Sequence, residues 1–436
     1  MVLFKYVLPV VLASIVPISA AASEEHPINR RSATGDLSLA MALDLAADHN
    51  PALAAAWQRV EAADARVDQA GRWANPEIEF EVENFGGGDD LRGFESAEST
   101  LIISQNLRIG GKIKRGREVA ESDFTIAGRG RESVILDVRA RTTAAFNSVL
   151  IAQERLSLSR ELLELAQSFA DTVDARVEAG KVSPVEATRA RMEVAAVRVE
   201  LIRATRALEI ARVRLSSMWG ASVADFRRAI GELPRPGDRP AWAQLRDLVD
   251  STPDMRALDD ELQRSERVVA LEKSFRIPDL TLAAGPRRFS ETGDSAWVAG
   301  ISLPLPIFDS NKGARRAAEF ELEGTRRDIQ ATRIEIETGL TSVVQRLDAA
   351  GEIAISMEAE VVPAATSARD AVEIGYTEGK FGFLDVIDAQ RTLFDARSLL
   401  LDSMAEYALA KVDLERLIGQ SLDAGEITMG STAAVD

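Results

Sequence analysis

Two aspartates and a row of four glutamates are the residues whose types and spacing could do chemistry here. Asp385 and Asp388 lie within Tyr376 to Arg391, the run Tyr-Thr-Glu-Gly-Lys-Phe-Gly-Phe-Leu-Asp-Val-Ile-Asp-Ala-Gln-Arg. Gly379 and Gly382 supply the backbone freedom of a tight turn. Leu384, Ile387, Leu393 and Phe394 then recur at near-helical spacing. Three positions apart, the two carboxylates project from one face of a first helical turn. Acids there compensate the positive end of a helix. Several copies brought around one axis would instead form a ring that favours cations. Glu77, Glu79, Glu81 and Glu83 alternate strictly with Ile78, Phe80 and Val82, the pattern of a strand with one acidic and one apolar face.

The rest of the composition removes most other chemistry. The chain has 436 residues and no cysteine, so disulfides, thiol catalysis and thiolate metal sites are excluded. His26 and His49 are the only histidines, too few for a protein-only zinc or copper centre. A net charge of -17 argues against a nucleic-acid partner. No nucleophile–base constellation or phosphate-binding loop is present, and Gly86-Gly87-Gly88 falls in a hairpin loop rather than between a strand and a helix. The expectation is a protein that is not an enzyme and carries no cofactor or resident metal.

The elements that must position these acids repeat along the chain. Asn50-Pro51 matches Thr252-Pro253 (253 − 51 = 202), and Asn75-Pro76 matches Ile277-Pro278 (278 − 76 = 202). Gly111-Lys112 matches Asn311-Lys312 (312 − 112 = 200), and Gly180-Lys181 matches Gly379-Lys380 (380 − 181 = 199). Each half reads as helix, two strands, long helix, turn, helix. The expected division is a first repeat over 36–220, a proline-bearing linker over 221–241, a second repeat over 242–419 and a loose tail over 420–436.

In the first half, helical spacing runs from Leu37 to Trp73, with Asp36 as N-cap and Pro51 dividing it into two helices. Strands are expected from Glu77 and over Ser99 to Leu107. The second half offers Asp279 to Ala284, with Leu280 and Leu282 on one face, and Ala296 to Leu305, with Trp297, Ala299, Ile301, Leu303 and Leu305 on one face. Gly285-Pro286 and Arg287-Arg288 read as part of the link between them. No proline occurs from Leu107 to Ser183, so a helix of about 65 residues, about 100 Å long, is expected there. Ser183 should cap the return helix with Pro184 at its first position and Glu186 in its first turn. Pro363 should kink or interrupt the second outgoing helix.

Residues 1–22 read as a secretory signal peptide: Lys5, an apolar run from Tyr6 to Ile18, and Ala20-Ala21-Ala22 for cleavage. Strands with one apolar face can span an outer membrane as a closed barrel, but four strands cannot close alone. Three chains would supply twelve, with the glutamates facing the lumen and Ile78, Phe80 and Val82 facing lipid. A soluble periplasmic coiled-coil scaffold is the alternative of a different class.

The order Tyr-x-x-Gly-x-x-x-x-Leu-Asp-Val-Ile-Asp-Ala-Gln-Arg resembles the periplasmic turn of TolC-family outer-membrane factors, over roughly residues 36–419. Glu-Val-Glu-Asn-Phe-Gly-Gly (81–87), Gly-Gly-Lys (110–112) and Ser-Pro-Val-Glu-Ala-Thr-Arg-Ala-Arg (183–191) look closest to the cobalt-zinc-cadmium efflux branch. The resemblance implies a homotrimer in outer-membrane lipid, with a twelve-stranded β-barrel above a hollow cylinder of antiparallel helical hairpins. It implies a periplasmic adaptor (a membrane fusion protein) and an inner-membrane pump of the resistance-nodulation-division (RND) type. Divalent heavy-metal cations are the expected cargo; organic compounds or secreted proteins are alternatives. Asp385 and Asp388 would ring the pore constriction. The best-known relative has an arginine where this chain has Phe381, so Lys380, with Tyr376 and Glu186, is a candidate latch. Tyr376 also suits a buried packing role, and Glu186 also suits a helix-start role.

Overall fold

The computed structural model describes residues 35–237 and 240–422. The expected signal peptide and most of the expected tail lie outside these residues. Two short parallel strands, β1 (Gly35–Leu37) and β4 (Phe226–Ala229), pair beside α1 (Leu39–His49). Asp36 is not the helix cap. It lies in β1 and takes ion pairs from Arg227 and Arg228, while the Ser38 hydroxyl accepts the Met41 N–H. Ser38 wins because it stands just before the first helical turn, whereas strand pairing claims Asp36. The stretch expected to be a plain linker therefore contains β4, and Phe226 packs into a core with Leu37, Phe146, Val149 and Leu215.

Asn50 caps α2 (Pro51–Ala70), and Thr252 caps α6 (Pro253–Ser274), each followed by proline at the first helical position. After α2 come β2 (Glu77–Glu83), β3 (Glu98–Leu107), α3 (Lys112–Glu178) and α4 (Pro184–Ser217). After the short α5 (Trp242–Asp247) and α6 come β5 (Leu280–Phe289), β6 (Ser295–Ser302), α7 (Lys312–Ser356), α8 (Val362–Thr377) and α9 (Phe383–Ile418). Gly111 and Asn311, just before α3 and α7, both adopt left-handed backbone with φ of 77° and 55°. α3 is unbroken for 67 residues, about 100 Å.

As expected, the outgoing α-helix is interrupted before Pro363, by a change of helical type rather than by a loop. A wide π turn at Met357–Val361 precedes it, and the Val362 N–H reaches back to the Met357 carbonyl. Proline lacks an N–H and crowds the preceding turn, and one wide turn absorbs both without breaking the rod.

The four longer strands form one antiparallel sheet in the order β2-β3-β5-β6. β5 runs straight through Gly285-Pro286-Arg287-Arg288, which the sequence suggested was a link. Arg287 pairs with Thr100 and Ala296, so the ladder continues past the proline. β6 ends at Ser302, short of Leu305. The register carries the alternation across all four strands. Phe80 lies beside Leu101, and Trp297 beside Pro286, on one face; Glu81 lies beside Thr100, Arg287 and Ala296 on the other.

No core among the described residues covers the apolar face, where Ile78, Phe80, Trp297 and Ile301 are each two-thirds or more exposed. The helical half of the molecule does have cores. Leu245, Met255, Leu340, Val344 and Leu414 form one in the second half, and Phe169, Val173, Tyr376, Phe383 and Val386 form another where the two long hairpins turn.

Candidate functional site

The α3–α4 turn at 179–183 and the α8–α9 turn at 378–382 lie together at the end of the helices remote from the sheet. Each turns through a glycine with positive φ, 69° at Gly180 and 79° at Gly379, conformations that a side chain resists. In the first turn, Ser183 caps α4 by accepting the Val185 N–H. In the second, Asp385 does the capping. Its Oδ2 accepts the Gly382 N–H at 2.7 Å. Asp388, one turn on, is exposed and makes no hydrogen bond or ion pair among the described residues. It lies beside Arg391, whose guanidinium binds Glu193 of α4 and is held above its ordinary pKa first by that bond, with Asp388 adding charge.

Tyr376 is 2% exposed, tilted against Phe169 with ring centroids 5.3 Å apart. Arg176 of α3 lies over its ring, 4.3 Å from the centroid, and donates to its backbone carbonyl at 2.6 Å. The Tyr376 hydroxyl is buried and has no hydrogen-bond partner among the described residues. Burial raises its pKa, Arg176 opposes the shift, and the charge on Glu186 adds to it. Glu186 thus stands near the ring without bonding it. Lys380 is spent on Glu378 in its own turn at 2.6 Å and forms no ion pair with Glu186. Phe381 lays its ring over Gly375, where an added Cβ would come within 2.3 Å of it.

On the sheet, Glu77, Glu79 and Glu81 are exposed on the polar face. Glu83 is paired: Arg287 of β5 bridges it at 3.1 Å and Glu98 at 3.0 Å, and donates to the Thr100 hydroxyl at 2.9 Å. The chain matches the family model for outer membrane efflux proteins over residues 42–221 and 245–420. It belongs to the outer membrane efflux protein family. It is 35% identical to the cobalt-zinc-cadmium resistance protein CzcC of Cupriavidus metallidurans, over 90% of this chain and 93% of that protein. It is 30% identical to the nickel and cobalt resistance protein CnrC of the same organism, over 68% and 70% respectively. Among solved structures, CusC superposes with a TM-score of 0.75 at 16% identity, over 90% of this chain and 94% of that one.

The protein is thus an outer-membrane efflux channel, and no helix among the described residues is long and apolar enough to cross a membrane. The acids of this efflux protein do not gather into a metal-binding group among the described residues. A cavity of about 700 Å³, lined by His49, Trp57, Arg131 and Trp219, lies where α1 meets α2, far from both sets of acids. Arg176 and Arg287 were not found from the sequence. Arg176 is 200 positions from Tyr376, and only the matching offset of the two turns could have pointed to it. Arg287 was hidden by the assumption that Gly285-Pro286 ended a strand.

Proposed function

We propose that three copies of this chain form the outer-membrane duct of a tripartite system that exports divalent heavy-metal cations, with an RND pump and a periplasmic adaptor. The observation that carries the reading is the 35% identity to CzcC along nine-tenths of the chain. The sheet supports the assembly: it has two open edges and one bare apolar face, and open edges are not tolerated in lipid. The two halves are structural repeats in this reading, supported by their like order of elements and like left-handed helix starts. The soluble scaffold has less support, because such an apolar face in water would be an aggregation site.

Asp385 and Asp388 form the constriction in this reading, two from each chain. Arg176 and Tyr376 hold the two hairpins of a chain together beneath it, with Glu186 close by. Lys380, exposed with Glu378, is left at the surface that a neighbouring copy would meet. The exposed glutamates of β2 line the lumen, where they raise the local concentration of cations. The test is complementation. A strain lacking its CzcC but keeping the other components should regain growth on cobalt, zinc and cadmium when it expresses this chain. Restored tolerance to organic solvents or antibiotics, with none to metals, would transfer the reading to organic efflux.

A further inference from the structure

The register of the sheet recurs at fixed offsets. Adding 202 to β2 positions and 200 to β3 positions turns Glu79 opposite Ile102 into Thr281 opposite Ser302. It turns Glu83 opposite Glu98 into Gly285 opposite Val298, and both derived pairs are present. The same shifts apply to the contact between the halves. There, β3 pairs with β5, with Ile103 opposite Ala284 and Leu107 opposite Leu280. Carried one half further along, that contact has no counterpart inside the chain, because β6 is an edge and so is β2.

We propose that β6 pairs with β2 of the next copy in the shifted register. Ala284 − 202 is Val82 and Ile103 + 200 is Leu303, so Leu303 meets Val82 of the partner subunit. Likewise Leu305 meets Phe80 of the partner subunit, and Ile307 meets Ile78 of the partner subunit. This deepens the assembly part of the proposed function and rests on it. Three features support the register independently of the offsets. All the paired residues on the lipid side are apolar, although their sequences were not used to choose the shift. Leu305 and Ile307 are 70% and 74% exposed in the single chain, as are Ile78 and Phe80 at 72% and 68%. The apolar alternation continues beyond Ser302, where the ladder of the single chain stops. Pro304 and Pro306 share one parity and have no N–H to give, so ladder donors in this stretch fall to Leu303 and Leu305; the Ile307 N–H already bonds the Leu305 carbonyl.

A polar clasp below the strands extends the inference. Lys112 at the start of α3 is buried, 2.6 Å from Asp279 and 5.4 Å from the centre of the Phe275 ring. Arg115 donates to the Ala270 carbonyl. The shifted positions are Lys312, with Glu77, Trp73 and Asp68 of the partner subunit, and Arg315. The chemistry is kept: lysine, carboxylate, aromatic ring and arginine recur. Among the described residues Lys312 and Glu77 are exposed and unpaired, Trp73 is 62% exposed, and the Arg315 Nε is buried with no hydrogen bond, standing 3.7 Å from Glu319. Lys312 therefore sits between the ring of Trp73 and the carboxylate of Glu77, both of the partner subunit, as Lys112 does within the chain.

The protein has no cysteine, so engineered pairs report alone. Leu305→Cys with Phe80→Cys, oxidised in isolated outer membranes, should give reductant-sensitive multimers in denaturing gels. The yield should be at least fivefold above that of Leu305→Cys with Ile78→Cys or with Val82→Cys, whose Cβ atoms are diagonal rather than opposite. Lys312→Glu and Glu77→Lys should each lower the temperature at which the oligomer dissociates, and combining them should recover at least half of the loss. A higher yield at a diagonal pair overturns the register, as does no crosslink in an oligomer seen by native mass measurement in nanodiscs. No recovery in the double exchange overturns the clasp. A monomer by native mass overturns the assembly itself, and the register with it.

Discussion

The two ends of this molecule are finished to different degrees by one chain. At the sheet end, four strands leave two edges open and an apolar face bare. At the helical tip, contacts between residues far apart in sequence already join the hairpins: Arg176 to Tyr376, Arg391 to Glu193, and Phe169 stacked on Phe383 at 5.5 Å. The difference is one of what each end can satisfy alone. In the proposed assembly, open backbone edges and a bare apolar face need other copies. Aromatic packing and charge pairs across two antiparallel hairpins do not. Assembly should accordingly be most sensitive at the sheet, and local tip order most sensitive to single side chains there.

The largest expected effect is at Gly285. A Cβ there would lie 1.8 Å from the Leu101 carbonyl oxygen and 2.8 Å from its carbon, both backbone atoms. Overpacking costs about 1–3 kcal/mol and more where backbone must move. Gly285→Ala should abolish most of the heat-modifiable oligomer in outer membranes. Gly300→Ala on the same sheet, with nothing within 4 Å of the added atom, should leave it intact. Equal losses in both would show that the sheet fails for a reason other than this close approach.

Gly285 also shows where the sequence could and could not be read. Strict alternation made β2 legible, because a period of two has a single structural meaning when one face is wholly acidic. The same rule failed in β5, because Gly-Pro normally punctuates a chain; here Gly285 is needed for close approach and the ladder passes Pro286. β6 ended three residues early, since alternation shows which residues can share a face but not how far the ladder runs. At the tip, the capping role of Ser183 was legible from local spacing, whereas Asp385 was read as a helix-start acid and its bond to the Gly382 N–H was not foreseen. Arg176 was not, because nothing local marks a contact across 200 positions.

The second effect concerns the tip acids, whose roles the structure separates. Asp385 accepts the Gly382 N–H, whereas Asp388 makes no bond. Replacing both with alanine should reduce cation selectivity and block by multivalent cations severalfold in planar-bilayer recordings, while the oligomer survives. Asp388→Asn alone should weaken selectivity without lowering stability. Asp385→Ala should cost about 1 kcal/mol in addition, as loss of a helix cap does. Unchanged selectivity and block in the double variant would reduce both residues to helix-start acids.

An effect confined to the tip is expected at Arg176. Arg176→Ala removes a charged hydrogen bond worth about 1.5–3 kcal/mol and a cation–π contact worth about 1 kcal/mol. Amide exchange over 374–384 should quicken by one to three orders of magnitude, while exchange in the sheet stays as before. Arg176→Lys should recover only part, because an ammonium lacks the planar face that lies on the ring. Equal quickening at both ends of the molecule would break the distinction drawn between them.

The smallest effect is expected at Tyr376, and its sign is informative. The ring is packed between Arg176 and Phe169, but the hydroxyl is buried without a partner. Tyr376→Phe keeps the packing and removes an unsatisfied polar group, so at pH 7 the tip should be unchanged or firmer by less than about 1 kcal/mol. Burial raises the tyrosine pKa in the folded chain. Stability from the neutral ring is therefore fully present below the unfolded value of about 10 and is lost as pH climbs through the higher folded value. Amide exchange at 374–384 should hold steady from pH 7 to 9 after correction for intrinsic rates. It should quicken further above pH 10 in the unmodified protein but not in Tyr376→Phe. If the phenylalanine variant loosened the assembled tip at pH 7 by more than about 1 kcal/mol, the hydroxyl would have a partner on a neighbouring copy. The tip, like the sheet in the proposed assembly, would then be completed between chains rather than within one.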